Sequence, residues 1–478
     1  MAGPRTQNGL NALLRRSLAG SSPRTSSPLP SPYRQYASVA SPGVRDGLLH
    51  DSASRDGIQT VRCSRRAAIT GLGAVSGFGV GAATLWDALV EGRRAVRAFP
   101  SLAGVAEIAA VVPGGDPFAP GDRATPMALA AASEAVADAG GVRAGDRLAV
   151  TLGTTLGGMG AWREVVRGRA ATARRWGWNG PAEALAEAHG AAGAVSVCSV
   201  ACASGNAALG AALDLVREGR AEQVIAVGAD ALSDFVIAGF ASLKALDPTP
   251  CRPFDRTRRG LNLGEGACAL VVESEEHARA RGARIRAWLD GYGAAGDANH
   301  MTGPDREGRG AAAAMRRALE DAHLAPEAVD FVSAHGTATC FNDAMEAKAL
   351  RAVFGPRTPE VPVDSIKSAI GHTLGAAGVF EALVCVRALE TGLVPPTPGF
   401  SEPDPEIGLD VVAGAARRLV LRAALSTSSG FGGINAAIVL RAARAGRATS
   451  LTAGGAVDAR AVRRAPCDAA SRLAWRSL

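Results

Sequence analysis

Four side chains capable of covalent or acid–base chemistry stand beside glycine-rich turns of this 478-residue sequence. They are one cysteine, Cys202, two histidines, His335 and His372, and one of only three lysines, Lys367. A cysteine near a base can act as a nucleophile, and imidazole N–H groups can stabilise an oxyanion as it forms. An isolated histidine or cysteine is more often a packed core residue. Packing alone does not readily explain why all four of these residues lie at glycine-flanked turns. The set therefore indicates covalent catalysis.

Cys202 is predicted to lie at a strand-to-helix turn. Residues 194–200 form an apolar run with β-branched residues, typical of a buried strand, and residues 207–218 have helical spacing of leucine and valine. Free N–H groups at the start of that helix would favour a thiolate and lower the pKa of the Cys202 thiol. The small residues around it leave room for an acyl group at the sulfur. The alternative is a buried structural cysteine.

The other three residues also follow predicted strands. His335 comes after a predicted strand over 329–333, and the ends of strands are where α/β sheets usually place ligands. Lys367 and His372 come after the next predicted strand. A further glycine-rich turn over 428–435 joins the last two predicted strands. These turns are therefore candidates for one common site.

The order of predicted elements repeats along the chain. A helix over 127–139 followed by a strand corresponds to a helix over 312–322 followed by a strand. The strand, turn and helix around Cys202 recur around His372. Alternating strands and helices predict a layered α/β fold with buried, largely parallel sheets. Duplicated halves would bring the two turns together near a pseudo-twofold axis, so that one pocket serves both.

The sequence divides into a folded part and two extensions. The N-terminal half is predicted to span 65–310 and to carry the cysteine, and the C-terminal half spans 311–441 and carries both histidines and the lysine. Residues 1–64 are rich in Ser, Pro and Arg, which is typical of a disordered extension or of an organelle transit peptide. Residues 442–478 are Arg- and Ala-rich and are predicted to be a disordered tail.

Composition excludes several functions. A net charge of +7 suits an acidic partner, but only 4% of residues are aromatic and no dense Lys/Arg run occurs outside the ends, which argues against nucleic acid. No apolar run is long enough for a transmembrane helix. The Gly71-Leu72-Gly73 turn lacks the third glycine of a dinucleotide fingerprint. Eight scattered cysteines without CxxC spacing predict reduced thiols, and hence a cytoplasmic protein, or an organellar one if residues 1–64 are a transit peptide.

From about residue 65 to 440, the chain resembles the β-ketoacyl-acyl-carrier-protein synthases of the two-histidine elongating type, which are synthase II-like condensing enzymes. The resemblance implies a thiolase-like α/β fold with α-β-α-β-α layers. The matching motifs, in chain order, are Ala201-Cys202-Ala203-Ser204-Gly205, Arg252-Pro253-Phe254-Asp255 leading to Gly264-Glu265-Gly266, His335-Gly336-Thr337-Ala338-Thr339 continuing to Asn342-Asp343 and Glu346, Lys367 with Gly371-His372, and Gly430-Phe431-Gly432-Gly433-Ile434-Asn435.

The resemblance also implies a reaction. Cys202 would take an acyl chain from a carrier thioester, and a malonyl thioester would then lose carbon dioxide to give an enolate that attacks the acyl-cysteine. His335 and His372, as neutral imidazoles, would donate N–H to the enolate oxygen. Backbone N–H groups of Cys202 and Phe431 would form the oxyanion hole of the acyl-cysteine. Substrates would arrive on the 4′-phosphopantetheine arm of an acyl carrier protein, with no resident cofactor and no metal.

Supporting roles follow from the same resemblance. Lys367, with Glu346 as its partner, would hold His335 in position and tune its charge, and Asp343 would be a further supporting residue. The substrate-binding residues would be Thr337 and Thr339 on the pantetheine arm, with Ser429, Phe431 and Gly432 at the acyl gate.

Some residues depart from the family pattern. Relatives commonly have a second aromatic residue where this chain has Ser429, a proline where it has Cys340, and an acidic residue where it has Arg259. These departures leave the four catalytic candidates unchanged. They make the chain-length preference and the motion of the gate open questions.

The implied partners are an acidic acyl carrier protein and a second ketosynthase-like chain, in a homodimer or a heterodimer. Arg252, Arg256 and Arg258 are predicted to dock the carrier protein. The product could enter a fatty acid, a polyketide or a polyene.

Three related functions are weighed against this one. A non-catalytic subunit resembling a chain-length factor would normally lack Cys202. A degradative thiolase would need a second cysteine near the C-terminal glycine loop. An initiating synthase would lack the Gly371-His372 motif.

Overall fold

The computed structural model describes residues 65–443 except 100–107, 115, 117–120, 167 and 169–176. The predicted extension 1–64 lies outside the described residues, and so does nearly all of the predicted tail 442–478. The strands are β1 (Ala67–Ser76), β2 (Gly79–Val80), β3 (Arg97–Ala98), β4 (Ile108–Ala110), β5 (Leu148–Gly153), β6 (Val195–Cys198), β7 (Gln223–Asp230), β8 (Leu263–Gly264), β9 (Gly266–Ser274), β10 (Ala287–Gly296), β11 (Phe331–Ser333), β12 (Pro362–Asp364), β13 (Leu393–Val394), β14 (Asp410–Val411), β15 (Arg417–Arg418), β16 (Ala423–Gly430) and β17 (Ile434–Ala442).

Helices connect and cover these strands. They are α1 (Ala82–Val90), α2 (Ala124–Asp138), α3 (Met159–Val166), α4 (Gly180–His189), α5 (Ser204–Arg217), α6 (Asp234–Ser242), α7 (Glu275–Ala280), α8 (Arg309–Asp321), α9 (Cys340–Phe354), α10 (Lys367–Ile370) and α11 (Ala377–Thr391). In the described part of the chain, no helix is both long and apolar enough to cross a bilayer.

The strands form two half-sheets of the same topology. The order β1-β9-β7-β5-β6 in the first half corresponds to β10-β17-β16-β11-β12 in the second. In each, the last three strands are parallel and the first two pairings are antiparallel. A short antiparallel pairing of β1 with β10 joins them into one mixed sheet. The predicted duplication is thus confirmed.

Helices α5 and α11 lie between the two half-sheets, while α2 and α8 cover the outer faces, which gives the expected five layers. The central helices approach closely because both carry glycine at the contact. A Cβ on Gly205 would lie 2.9 Å from the Val379 nitrogen, and one on Gly378 would lie 2.6 Å from Asn206 Oδ1. This close approach aligns the starts of α5 and α11, where the Cys202 and His372 turns end.

The strand before Cys202 differs from its prediction. β6 is an edge strand that pairs with β5, and its residues are exposed or half-buried rather than buried. Apolar, β-branched residues fit an edge strand as well as a central one, so the local pattern could not distinguish the two. The helix after Cys202 also begins earlier than predicted, at Ser204. The nucleophile candidate therefore stands closer to the helix start than expected.

Candidate active site

The Cys202 turn is held by neutral hydrogen bonds. Ala201 adopts a positive φ of 51°, which turns the chain sharply before Cys202. The Ser204 hydroxyl donates to the Ala201 carbonyl at 2.5 Å and accepts from the Val200 N–H at 2.9 Å. Cys202 is 7% exposed, and its sulfur lies 3.0 Å from His372 Nε2. The turn therefore presents the sulfur directly to a histidine from the other half.

The expected low pKa of Cys202 is not supported. Burial raises the pKa of the Cys202 thiol to about 12, although the charge of Lys367 opposes the shift. Removing the sulfur from water penalises its charged form more than the nearby cation favours it. The resting side chain is therefore a thiol. The six described cysteines are free, whereas Cys63 and Cys467 lie outside the described residues.

His372 is fixed by backbone hydrogen bonds to β8 and to the residue before it. Its N–H donates to the Asn262 carbonyl at 2.8 Å, and its carbonyl accepts from the Gly264 N–H at 3.0 Å. The Leu374 N–H approaches His372 Nδ1 at 3.3 Å, so Nδ1 is the acceptor and Nε2 carries the proton. The Nε2–H therefore points at the sulfur of Cys202.

His335 completes the group at the end of β11. Its ring centroid lies 5.3 Å from that of His372, at an interplanar angle of 85°. One ligand atom each of Cys202, His335 and His372 lies within 4.8 Å of the others. Burial lowers the pKa of both histidines well below the usual value, and the charge of Lys367 lowers it further. Both imidazoles are therefore neutral at physiological pH.

These three atoms are close enough to consider a metal site. However, the His372 Nε2 that faces the group carries a proton, and the thiol is not ionised. A metal ion would have to displace both protons before these two atoms could act as ligands. The arrangement is better suited to donating hydrogen bonds to an oxyanion than to binding a cation.

The predicted partnership between Lys367 and Glu346 is wrong. Lys367 Nζ instead forms a buried ion pair with Glu381, which lies in α11. Glu346 accepts hydrogen bonds from the backbone N–H groups of His335, at 2.7 Å, and Gly336, at 2.8 Å. Glu346 thus positions His335 through its backbone. Lys367 acts on the histidines through its charge.

Asp343 supports the turn that follows His335. It is buried and accepts from the N–H groups of Phe254 at 2.7 Å and Ala338 at 3.1 Å. Burial raises the pKa of its carboxyl to about 6, while these hydrogen bonds oppose the shift. The turn places Thr337 Oγ1 and Thr339 Oγ1 2.9 Å apart on the wall of the pocket.

Cys202, His335 and His372 open into a cavity of about 450 Å³. Its lining includes Phe240, Leu243, Lys244, Arg259, Asp297, His300, Thr337, Thr339, Cys340, Phe341, Ser429 and Phe431. Its size fits a ligand of small-molecule dimensions. The three candidate catalytic side chains thus share one accessible pocket.

An aromatic contact that the sequence did not reveal borders this pocket. Phe240 in α6 lies 5.6 Å, centroid to centroid, from Phe431 and 6.3 Å from His372. Phe431 itself is 38% exposed. Nothing near Phe240 in sequence resembles a site motif, so only the approach of α6 to the glycine-rich turn could reveal it. Phe240 gives Phe431 an aromatic neighbour, which the serine at position 429 cannot provide.

Ser429 has a polar role in the same turn. Its hydroxyl donates to Asn435 Oδ1 at 2.8 Å, and Asn435 Nδ2 donates to Asp297 Oδ1 at 2.7 Å. The Gly432 N–H donates to the Met301 carbonyl at 2.7 Å. The turn that carries Phe431 is therefore tied to the 297–301 segment.

The three arginines predicted to dock a carrier protein differ in environment. Arg252 is exposed, and Arg256 is exposed and paired with Glu402 at 2.6 Å. Arg258 pairs with Asp404 at 2.6 Å, and its side chain is only 8% exposed. Arg258 therefore belongs to a structural ion pair and not to a docking rim. The pocket instead has two exposed cations in its wall, Lys244 and Arg259, neither of which was predicted to dock the carrier protein.

Comparison with known proteins agrees with this geometry. The profile of the beta-ketoacyl synthase N-terminal domain matches residues 118–278, and that of the C-terminal domain matches residues 286–401. A putative polyketide beta-ketoacyl synthase 1 of Streptomyces halstedii is 40% identical over 414 residues, which cover 79% of this chain and 98% of the relative.

Two solved structures share the fold. One is a ketosynthase bound to a hexaketide in complex with its type II polyketide acyl-carrier protein, with a TM-score of 0.73 and 31% identity. The other is the ishigamide ketosynthase/chain length factor, with a TM-score of 0.73 and 36% identity. Each match covers 79% of this chain and 99% of the other. The chain therefore belongs to the β-ketoacyl synthase family of condensing acyltransferases.

Proposed function

We propose that Cys202 carries the growing acyl chain and that His335 and His372 stabilise the enolate formed from a carrier-bound malonyl group. The observation that carries this proposal is the 3.0 Å contact between the Cys202 sulfur and His372 Nε2, at the base of a pocket that also contains His335. Both imidazoles are neutral, so each can donate an N–H to an oxyanion. Condensation joins the enolate carbon to the acyl carbonyl and releases the cysteine.

His372 would serve the two half-reactions in turn. During acylation the His372 Nε2–H stabilises the developing thiolate of Cys202, and the proton that the thiol loses ends on the departing pantetheine sulfur, which leaves as a thiol. Once the sulfur is acylated it carries no charge, and the same N–H becomes available to the enolate oxygen. The charge of Lys367 favours the thiolate and keeps His372 neutral, so it supports both steps.

The pocket walls fit a pantetheine thioester. Thr337 and Thr339 present neighbouring hydroxyls that can hydrogen-bond the amides of a 4′-phosphopantetheine arm. Gly430 packs against the Cys202 amide, since a Cβ there would lie 3.2 Å from that nitrogen. The Phe431 N–H that follows can therefore join the Cys202 N–H in an oxyanion hole. No resident cofactor is required by this chemistry.

The acyl chain is proposed to be a polyketide intermediate. Support comes from the Streptomyces halstedii relative, which is named as a polyketide synthase, and from the ketosynthase bound to a hexaketide. The acyl donor and acceptor would be carried by an acidic acyl carrier protein. Lys244, Arg256 and Arg259 are exposed cations that can guide it to the pocket.

A second ketosynthase-like chain is proposed to bind the β6 edge. Among the described strands, β6 pairs only with β5, whereas its counterpart β12 is covered by β14. Val195 in β6 is 43% exposed. Exposed edges readily pair with another chain. Native mass spectrometry of the chain alone and with a co-expressed second subunit would distinguish a homodimer from a heterodimer, and a monomer in both samples would contradict this part.

The catalytic proposal is tested by reconstitution. The purified chain, with its second subunit if one is needed, is incubated with acyl and malonyl groups on an acyl carrier protein. Carbon dioxide release and a carrier-bound β-ketoacyl product are expected in equal amounts. Carbon–carbon bond formation that persists in Cys202→Ala would contradict the proposed role of the cysteine.

The proposed location is a reducing compartment such as the cytoplasm, which the free thiols of the described residues fit.

A further inference from the structure

A row of buried polar side chains crosses three neighbouring strands behind the active site. Ser333 at the end of β11 is in register with Asp364 on β12 and with Ser426 on β16. All three side chains are fully buried. Within the described residues, neither Asp364 oxygen has a hydrogen-bond partner, and neither does the hydroxyl of Ser333 or Ser426. Such groups are rare in folded proteins and call for an explanation.

This row of polar side chains adjoins the Lys367 ammonium, whose charge lowers the pKa of the two histidines. The titratable groups that interact with Asp364 are Lys367 in α10 and both Glu381 and Cys385 in α11. Lys367 and Glu381 already form an ion pair, and the Ser428 hydroxyl donates to Glu381 at 3.4 Å. Asp364 is therefore an additional carboxyl group beside an ion pair whose two charges already cancel.

The protonation state of Asp364 decides the charge of this cluster. Burial raises the pKa of the Glu381 carboxyl to about 7, and once it is ionised Lys367 and Glu381 together carry no net charge. An ionised Asp364 would then add one uncompensated negative charge in a site without water-exposed neighbours. An unpaired buried carboxylate is strongly disfavoured. Burial raises the pKa of Asp364 to about 8, the charge of Glu381 adds to the rise, and Ser333 and Lys367 oppose it. The Ser333 hydroxyl acts on the Asp364 carboxyl although the two groups do not meet the geometry of a hydrogen bond.

We propose that Asp364 is a positioning residue that keeps the cluster behind the two histidines electrically neutral by holding a proton. This inference rests on the proposed enolate chemistry. The histidines must receive the negative charge of the enolate, and a second negative charge nearby would oppose it. Burial and the charge of the Lys367 ammonium keep His335 and His372 neutral. An ionised Asp364 would attract that ammonium.

The first test is the pH profile of malonyl decarboxylation on the carrier protein. It is measured in a Cys202→Ala background, so that titration of the thiol does not contribute. With Asp364 present, the rate should fall about tenfold as pH rises from about 7 to 9, the size expected for one nearby buried charge. Asp364→Asn should match the parent near pH 7 and lack this fall. Ser426→Ala, which alters the same row without removing a titratable group, should retain the fall.

The same alkaline fall in Asp364→Asn would overturn the proposal, because another group would then be responsible. If Asn disturbs folding, Asp364→Ser provides a smaller neutral replacement for the same comparison. A chain with no decarboxylase activity at any pH would contradict the proposed function instead, so the two failures are distinguishable.

The second test does not use activity. The unfolded carboxyl ionises near its ordinary pKa, whereas the folded one keeps its proton until the raised pKa is reached. Protonation therefore stabilises the folded state, and this stabilisation is lost as pH rises through the folded pKa. Relative to Asp364→Asn, the unfolding constant of the parent should rise about tenfold per pH unit between pH 6 and pH 8, then level off. A ratio independent of pH would overturn the proposal.

Discussion

The Cys202 turn and the His372 turn occupy equivalent positions in the two halves, but their surroundings differ. The first follows an exposed edge strand and is held by the Ser204 hydroxyl and by backbone groups. The second follows a buried strand and lies beside the Lys367–Glu381 pair. A nucleophile that must receive a large acyl group needs room beside its sulfur. The histidines that donate to an oxyanion need a fixed orientation and must stay neutral.

The same duplicated framework thus supports two electrostatic environments. The charge of Lys367 acts on both turns, since it opposes the burial-induced rise in the Cys202 pKa and adds to the fall in the pKa of His372. Ionised thiolate and neutral imidazole are both favoured by one buried cation. The division of labour between the turns can be tested by disrupting each separately.

The largest expected effect is the loss of acylation when Cys202, in the first turn, is replaced. Cys202→Ala should abolish acylation of the protein and leave malonyl decarboxylation measurable, because the histidines remain. Intact-protein mass spectrometry after incubation with an acylated carrier protein would detect the adduct. Cys198→Ala, which changes a half-exposed thiol four residues earlier, is the matched control and should acylate normally. An adduct on Cys198 in the Cys202→Ala variant would show that the wrong thiol has been assigned.

The next largest effect is expected on malonyl decarboxylation when either histidine is changed. His335→Ala or His372→Ala should slow decarboxylation about a hundred- to a thousandfold, the usual loss for one oxyanion donor. Their effects on acylation should differ, since only His372 contacts the sulfur. His335→Ala should acylate at the normal rate, and His372→Ala more slowly. Rapid-quench measurement of both half-reactions would check this, and unchanged carbon dioxide release from either variant would contradict its role.

Breaking the ion pair behind the histidines should affect folding as well. Lys367→Met leaves Glu381 buried without its partner, which should lower the free energy of unfolding by about 3–5 kcal/mol. Lys348→Met provides a matched control, because Lys348 pairs with Glu307 on the surface and should cost less than about 1 kcal/mol. Urea unfolding gives both values. Equal losses of unfolding free energy in the two variants would mean that the buried ion pair contributes no more to stability than the surface pair.

The sequence predicted those parts of the site that depend on local pattern. The turns around Cys202, His335 and His372, the presence of a strand before each and the duplication follow from short sequence segments, and the structure confirms them. The burial predicted for the strand before Cys202 is wrong, because that strand lies at the sheet edge. The partner of Lys367 could not be predicted in this way. Glu346 and Glu381 lie in different helices, and only the packing of α11 beneath the half-sheet determines which carboxylate meets the ammonium.

Long-range contacts explain the other differences. The burial of Arg258 depends on Asp404, which is 146 residues away. The contact of Phe240 with Phe431 depends on how α6 approaches the glycine-rich turn. The raised pKa of Cys202 reflects the depth of the completed pocket, which a helix start alone does not indicate. Each is a property of tertiary packing and has no local sequence signal.

A smaller effect is expected at the gate beside the cysteine. Phe240→Ala removes the ring packed on Phe431, so the gate should move more freely and acylation of Cys202 by bulky chains should accelerate a few-fold. Ser429→Phe should do the reverse, with the largest loss for the longest substrates, while Ser429→Ala controls for the lost hydrogen bond to Asn435. Acylation rates over a chain-length series would check this. Identical series in all variants would show that the gate does not select substrates.

The smallest effect concerns two arginines of one segment that differ mainly in exposure. The Arg256 side chain is 63% exposed and that of Arg258 is 8% exposed. Charges on a rim act mainly on association and are screened by salt. Arg256→Glu should therefore raise the KM for carrier-bound substrate modestly at low salt, and have no effect on a small pantetheine thioester. Arg258→Glu places a second carboxylate beside Asp404, so it should impair stability and both substrates alike. If Arg256→Glu also impairs both substrates equally, the arginine supports the fold and the carrier protein docks elsewhere.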